Sequence, residues 1–358
     1  VAEAGTPGAA GPSRAAGAEG TEGRAQALEV APSAASRTTV PVSMTVSVLM
    51  TVTTHRHHSI PSSIYCDAST IYRNRSRDKA LGPAHYGRGM RIRIVDAFTD
   101  RPFTGNPAGV MLLDAFPEDS WLRNVALEIN HAETAFAHPL PEGGEADWAL
   151  RWFTPATEVA MCGHATLATA HVLHTTGAHK GPVRFATLSG VLVAETAEDG
   201  TVTLDFPTAP LSAVDVPEGV AQALGAPVLA AFDTGPYVGD LVVELADERA
   251  VRALRPDHKA LTTHSERGII ATARAEDPAA GYDFVSRCFF PNVGIDEDPV
   301  TGSAHTALAP LWSQRLGRAA LTGLQASPRS GLVRTEVRGA RTLLGGRAVT
   351  AVEGELLV

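Results

Sequence analysis

The chain has 358 residues, 44% of them apolar and 19% charged, with a formal net charge of −9. That length holds about two ordinary domains, and the apolar share is enough to bury a sizeable core. Residues 1–89 carry 9 Lys and Arg against 6 Asp and Glu, so residues 90–358 hold a net −12, the wrong sign for nucleic acid or an anionic membrane as partner.

Residues 1–39 are mostly Ala, Gly, Ser, Pro, Thr and Glu, without apolar periodicity. Such a stretch cannot offset its ordering entropy and reads as disordered. "VPVSMTVSVLMTVT" at 40–53 is apolar but only 14 residues long. A membrane span needs ~18–20. It also lacks the basic flank and cleavage site of a signal peptide, and Glu3, Glu19, Glu22 and Glu29 do not suit an acid-poor mitochondrial leader. "HRHH" at 55–58 offers at most a loose metal-binding tract. Met90 directly precedes the first convincing strand, so it reads as a natural start, with 1–89 a low-complexity extension of the gene model.

From Met90 the pattern becomes regular. "RIRIVDAF" alternates as a strand, and "TGNPAGVMLL" supplies a Gly-Asn-Pro turn and a second one. Glu118 to Ile129 places Trp121, Leu122, Val125, Ala126 and Ile129 at helical spacing. "ETAFAHPL" and "WALRWF" read as strands, and "GHATLATAHVLHTTG" as a helix ended by Gly177. "VRFATLSGVLVAET" and "TVTLDFP" follow as strands. Beyond them come "DLVVEL", a helix from Asp247 to about Leu254, "RGIIATA", "DFVSRCFF", a helix near 303–316 and strands to the end.

Two stretches repeat one plan. Arg151, Phe153 and Pro155 match Arg287, Phe289 and Pro291 as Arg-x-Phe-x-Pro. Each copy runs through an acidic loop to a glycine, Gly163 or Gly302, then a small-residue helix that stops at Gly177 or Gly317. The plan predicts a pseudo-symmetric protein of two lobes, 90–208 and 209–358, with the termini free to exchange between them. Ligand sites favour such interfaces. The unpaired N–H groups at each helix start carry partial positive charge and can hold a carboxylate. Ala165, Thr166, Ser303 and Ala304 are small enough to let a ligand approach.

Glu133 in "NHAETAF", His164 and Asp298 are the catalytic candidates at these loops. A carboxyl desolvated in a cleft has a raised pKa and serves as a proton shuttle near neutral pH. Each residue also has a structural reading: Glu133 as a solvated strand residue, His164 as a hydrogen bonder at a helix start, Asp298 as a cap or turn residue. Cys162 reads as a packed hydrophobe. On the residues alone, both sets of readings stand. Cys66, Cys162 and Cys288 are too few and scattered for a disulfide framework or a paired-cysteine zinc site, and free thiols indicate a reducing, cytoplasmic setting.

"DAFTDRPFTGNPAGV", "NHAETAF", "LRWFTPATEVAMCGHATLATA" and "DEDPVTGSAHTALAPLWSQRLG" together resemble the PhzF-like (phenazine biosynthesis-like) isomerase family, its animal branch above all. The resemblance runs from Met90 to the C-terminus. It implies an α/β, diaminopimelate-epimerase-like fold of two lobes, each a curled sheet around a central helix, with the active site between them. In the family's characterised isomerase a Glu moves a proton between carbons of dihydro-hydroxyanthranilate, without cofactor or metal. By motif that residue is Glu133; His164, Asp298 and Ser303 match its other site residues, and Gly163, Gly302 and Asn106 join them as substrate-binding positions. Many members have Ser before the Glu, where this chain has Ala132. That departure bears on the substrate more than on the chemistry.

Related epimerases and proline racemases use two thiols, one from each lobe. Cys162 stands at the first position, whereas "DPVTGSA" has none at the second, and Cys288 reads as core. The expectation is a cofactor-independent isomerase, without metal, acting on a small carboxylate substrate through Glu133, with a homodimer as its assembly. The rival is a metabolite-binding or protein-interaction protein on the same fold.

Overall fold

A computed structural model of the chain describes residues 90–236 and 238–357. The expectations for residues 1–89, the apolar run and the His-rich tract included, fall outside the described residues. No helix among the described residues is long and apolar enough to cross a membrane.

The first lobe opens with β1 (Met90–Ala97), β2 (Asn106–Leu112), α1 (Asp119–Ile129), β3 (Glu133–Pro139) and β4 (Trp148–Phe153). It continues through β5 (Glu158–Val159), α2 (Gly163–Thr175), β6 (Val183–Thr187), β7 (Gly190–Thr196) and β8 (Val202–Pro207). β1 and β2 are antiparallel, β2 and β3 parallel, β3 and β4 antiparallel, and β4 and β6 parallel. β5 folds back on β4, and β6, β7 and β8 run antiparallel. The turn into β2 needs glycine: at Gly105, with φ +69°, a Cβ would come within 2.2 Å of the Ala97 carbonyl oxygen.

The second lobe begins with β9 (Ser212–Val214), α3 (Val220–Leu224), β10 (Ala230–Asp233), β11 (Asp240–Glu244), α4 (Glu248–Ala253) and α5 (His258–Leu261). β12 (Gly268–Arg274), β13 (Phe284–Phe290), β14 (Ile295–Asp298) and α6 (Gly302–Leu316) follow. β15 (Ala320–Gln325), β16 (Gly331–Arg338), β17 (Arg341–Gly346) and β18 (Ala348–Leu356) complete it. From β10 to β17 the order of parallel and antiparallel pairings repeats that of β1 to β8. β8 and β17 pair edge to edge and join the two sheets.

The last strand crosses over. β18 lies in the 209–358 stretch but pairs with β1 of the first lobe, Met90 opposite Leu356, just as β9 pairs with β10 in the second. This is an exchange of a terminal strand between lobes, which the two-lobe reading allowed for without naming the strand.

Each lobe curls around one helix. α2 buries Leu167, Ala168 and Val172 among Val110, Leu150, Phe185 and Leu204. α6 buries Ala304, Leu308 and Trp312 among Val242, Ile270 and Phe284. Both helices bury residues on every side through most of their length, as a helix enclosed by a sheet must, and the Thr166 and Thr169 hydroxyls donate back to the backbone of α2. The outer faces are covered separately. Leu122 and Val125 of α1 pack on Met111, Phe136 and Phe153. In the second lobe α3, α4 and α5 place Val220, Val251 and Leu261 against Val243, Ile269 and Val285. Asp247 caps α4, its Oδ1 accepting from the Ala250 amide at 2.7 Å, at the helix start expected from sequence.

The repeated Arg-x-Phe-x-Pro motif has a physical purpose. Arg151 Nε and Nη2 grip the two carboxylate oxygens of Glu158 on β5 at 2.7 and 2.6 Å, with the guanidinium 5.0 Å from the Phe153 ring centre. Arg287 grips Glu297 on β14 at 2.7 Å through both bonds and stands 5.1 Å from the Phe289 ring. Each clamp fixes the short return strand that delivers the following helix start. Removing one partner of a buried pair strands the other charge. Glu297→Ala should therefore lower unfolding free energy by ~3 kcal/mol. Glu158→Ala should cost less, because Asp119 still pairs with Arg151 at 2.9 Å. Urea unfolding of both variants checks this; equal, sub-kcal losses would refute the clamps.

Candidate active site

Glu133 opens β3, opposite Ala108 of β2. The chain reaches it from α1 through Asn130, whose left-handed conformation, φ 53°, ends the helix and turns the backbone towards the cleft. From the second lobe β14 delivers Asp298, and α6 starts four residues later at Gly302.

The two enclosed helices meet end to end. A Cβ built on Gly163 would stand 3.6 Å from the Gly302 Cα, and one on Gly302 would stand 3.6 Å from the Gly163 Cα. Neither helix has a side-chain cap at its N-cap residue, Cys162 or Thr301. Around this junction lie Glu133, Cys162 and His164 from the first lobe, and Asp298 and Ser303 from the second.

His164 Nε2 is 3.3 Å from Glu133 Oε2, and its Nδ1 is 3.5 Å from Cys162 Sγ. The Nε2 contact is too poorly aligned to be a hydrogen bond, so that buried nitrogen has no hydrogen-bond partner among the described residues. Asp298 is fully committed. Asn106 Nδ2 donates to its Oδ1 at 2.9 Å, Thr301 Oγ1 donates to its Oδ2, and Gln325 Nε2 donates to its backbone oxygen at 2.7 Å. Asn106 also donates from Nδ2 to the Val300 oxygen at 2.9 Å. Its amide hydrogens thus brace the second lobe and are not free for substrate, the role expected from its motif; only its buried Oδ1 is without a partner.

Residues 95–354 match the family described as phenazine biosynthesis-like protein. The chain belongs to that family. An uncharacterized isomerase from Pseudomonas aeruginosa is 46% identical over 268 residues, 75% of this chain and 98% of its own. The human phenazine biosynthesis-like domain-containing protein is 39% identical over 285 residues, 75% of this chain and 99% of its own. A PhzF-family phenazine biosynthesis protein from Enterococcus faecalis has a solved structure. It is 38% identical and superposes with a TM-score of 0.70 over 76% of this chain and all of its own. The PhzF-like architecture here is the diaminopimelate-epimerase-like fold of two pseudo-symmetric lobes.

Within this PhzF-like scaffold the sheet registers pair each site residue with a mate in the other lobe. Phe153 faces Thr134 and Phe289 faces Ile269, so the mate of Glu133 is Gly268. Trp152 faces Val159 and Cys288 faces Asp298, so Asp298 has Val159 as its mate. At the helix starts Cys162 matches Thr301 and His164 matches Ser303. The chemistry sits where the halves differ. Thr301 fills the place of a second thiol, and its hydroxyl is held by Asp298.

Two features escaped the sequence reading. Arg267, one residue before β12, donates from Nη2 to Ser303 Oγ at 2.9 Å and from Nη1 to buried Asp240 Oδ2 at 2.8 Å. Its guanidinium lies 4.5 Å from the Phe290 ring centre. Nothing in "RGIIATA" marks it, since its partners are 27 and 36 residues away. Cys162, buried in the first core as its packed-hydrophobe reading implies, also lies against both His164 and Glu133. Burial pushes its thiol pKa up, with the Glu133 charge adding. Cys288 is wholly buried in the second core, as expected.

Burial raises Glu133 to about 8, with the Asp298 charge adding to the shift. Burial holds His164 down at about 3, so its ring is neutral at physiological pH. Asp298 rises to about 6, burial outweighing the hydrogen bonds from Thr301 and Asn106. Glu133, Cys162 and His164 each present one ligand atom within 4.8 Å of the others, a metal-competent set, whereas the sequence reading expected no metal site.

The Glu133 shift carries a stability consequence. Its folded pKa, about 8, exceeds the ordinary 4.5, so the folded state holds a proton that the unfolded chain releases. The stabilisation is complete below 4.5 and is lost as pH rises through 8. Between those limits Glu133→Gln should gain stability relative to wild type, by at most ~1.4 kcal/mol per pH unit. Parallel stability–pH curves from denaturant unfolding would exclude the shift.

Proposed function

We propose that the protein is an isomerase that moves a proton between carbons of a small carboxylate-bearing metabolite, with Glu133 as its only proton carrier. One observation carries the reading: beside the joined helix starts there is a largely buried, high-pKa carboxyl at Glu133, but a glycine at its mate Gly268. A relative named an isomerase supports it.

In this reading the substrate carboxylate lies against the free amides at Gly163 and Gly302, where backbone and helix-end charge replace a basic side chain. Ionised Glu133 takes a proton from a neighbouring carbon, and the C–H electron pair moves into the conjugated system. The same carboxyl then returns the proton to a second carbon, so atoms and electrons balance within the substrate. Neutral His164, 3.3 Å from Oε2, packs beside the carboxyl without adding a charge. Asp298, locked by Asn106 and Thr301, polarises the substrate from the second lobe. Ser303 already accepts a hydrogen bond from Arg267, which leaves its own hydroxyl proton to donate.

Incubating the full chain in heavy water with a panel of small unsaturated carboxylic acids tests the proposal, with deuterium at carbon read by mass spectrometry. The expected result is exchange by the wild type and a loss of about 10²–10⁴-fold in Glu133→Gln. Undiminished exchange in the variant overturns the assignment, and saturable binding without exchange favours a metabolite-binding protein on this fold. Gly302→Ala tests the carboxylate seat. Its methyl group would meet only ordinary contacts at 3.6 and 3.7 Å, so the variant should fold. It should raise KM by ~10-fold or more, about 1.4 kcal/mol of binding; an unchanged KM would place the carboxylate elsewhere.

A further inference from the structure

We propose that Glu133, Cys162 and His164 form a binding site for one soft divalent cation, zinc in the first instance, and that occupancy switches off the proton shuttle. The trio joins a thiol, an imidazole and a carboxylate, a donor set that suits zinc far better than magnesium or calcium. One ligand atom from each lies within 4.8 Å of the other two. Zinc bonds of ~2.0–2.3 Å put tetrahedral neighbours roughly 3.3–3.6 Å apart, so small side-chain rotations complete the geometry.

The independent pointer is His164 Nε2. It is buried, faces Glu133 Oε2 at 3.3 Å, and has no hydrogen-bond partner among the described residues. A buried ring nitrogen normally finds a partner, and an unmatched one asks for an explanation. Here it faces a cluster whose other members are also potential metal ligands. Cys162 and His164 flank Gly163 at the rigid start of α2, so two of the three donors are placed by the same helix turn. Glu133 keeps partial exposure to solvent, which leaves an entry path and a fourth position for water. Binding exchanges the metal for the Cys162 thiol proton and the Glu133 carboxyl proton, both of which leave to solvent. With its oxygen on the cation, Glu133 can neither take up nor return a substrate proton.

Zinc itself is the probe, titrated into the full chain against a chromophoric chelator. The expected result is one tightly held equivalent, lost in both Cys162→Ala and His164→Ala and retained in Cys288→Ala, whose thiol lies outside the trio. Cobalt in place of zinc should give a thiolate-to-metal charge-transfer absorption that Cys162→Ala lacks. Unfolding midpoints of the variants separate loss of ligand from loss of fold. Wild-type protein that releases all its zinc to the chelator overturns the site, and so does an equivalent that persists in a folded Cys162→Ala, which would place it on other ligands such as the 55–58 tract. The inhibitory role rests on the proton-shuttle reading and has its own arm. Zinc should abolish deuterium exchange and a chelator restore it; exchange that continues with the trio occupied overturns the switch. The zinc titration uses no substrate, so its outcome is independent of whether the isomerase reading holds.

Discussion

Two helix N-termini meet at Gly163 and Gly302, backbone against backbone, and the rest of the molecule is arranged around that junction. Each end carries roughly half a positive charge, and neither is capped by its N-cap side chain. Bringing two like poles together costs on the order of 1 kcal/mol at an effective dielectric of ~20. The fold overcomes that cost with apolar burial: α2 and α6 are enclosed on all sides, and each buried Leu or Val contributes roughly 1.5–3 kcal/mol. The residual positive potential attracts carboxylates, and those nearest the junction are Glu133, Asp298 and whatever anion enters the cleft.

Pseudo-symmetry builds the scaffold, and its breaking makes the chemistry. The arginine clamps, the strand order and the helix starts are shared by both lobes. The reactive groups are not. Glu133 faces a glycine mate, Cys162 a threonine and His164 a serine. A repeat that kept its thiols at both helix starts would present two proton carriers on opposite faces of a substrate. Here the second position is a hydroxyl already held by Asp298, so among the described residues the two helix starts do not present a matched pair of thiols.

Much of this was legible in the sequence because the relevant signals are local. Glycines at helix ends, 3.6-residue periodicity, the Asp247 cap and the repeated Arg-x-Phe-x-Pro all act within a few residues of themselves. They located both central helices and, through the family resemblance, Glu133, His164, Asp298 and Ser303. What stayed hidden depends on partners distant in sequence. Asn106 reaches Asp298 across 192 positions. Arg267 is silent until folding stacks it on Phe290 and joins it to Ser303. The helices α3 and α5 are 5 and 4 residues long, too short to show a period. Cys162 packs in the first core as its hydrophobic character implies, and the approach of Glu133 from another strand gives its thiol a polar neighbour as well.

The same burial that raises Glu133 explains why one residue can both accept and return a proton. A carboxyl at about 4.5 would take protons poorly from carbon, whereas one held near 8 is a stronger base once ionised and still a competent acid when loaded. Its neighbours preserve that poise. His164 stays neutral and so does not pull the carboxyl back down by charge, while Asp298, anchored by Asn106 and Thr301, pushes it further up. Arg267 works in the opposite sense, lowering Glu133, and its own charge is tied to buried Asp240. An anion seated on the helix ends would add to the repulsion felt by ionised Glu133, strengthening it as a base at the moment a carbon acid lies within reach. Under the proposed reaction, a carboxylate seat beside Glu133 would itself be a catalytic device, made from backbone amides and one desolvated side chain.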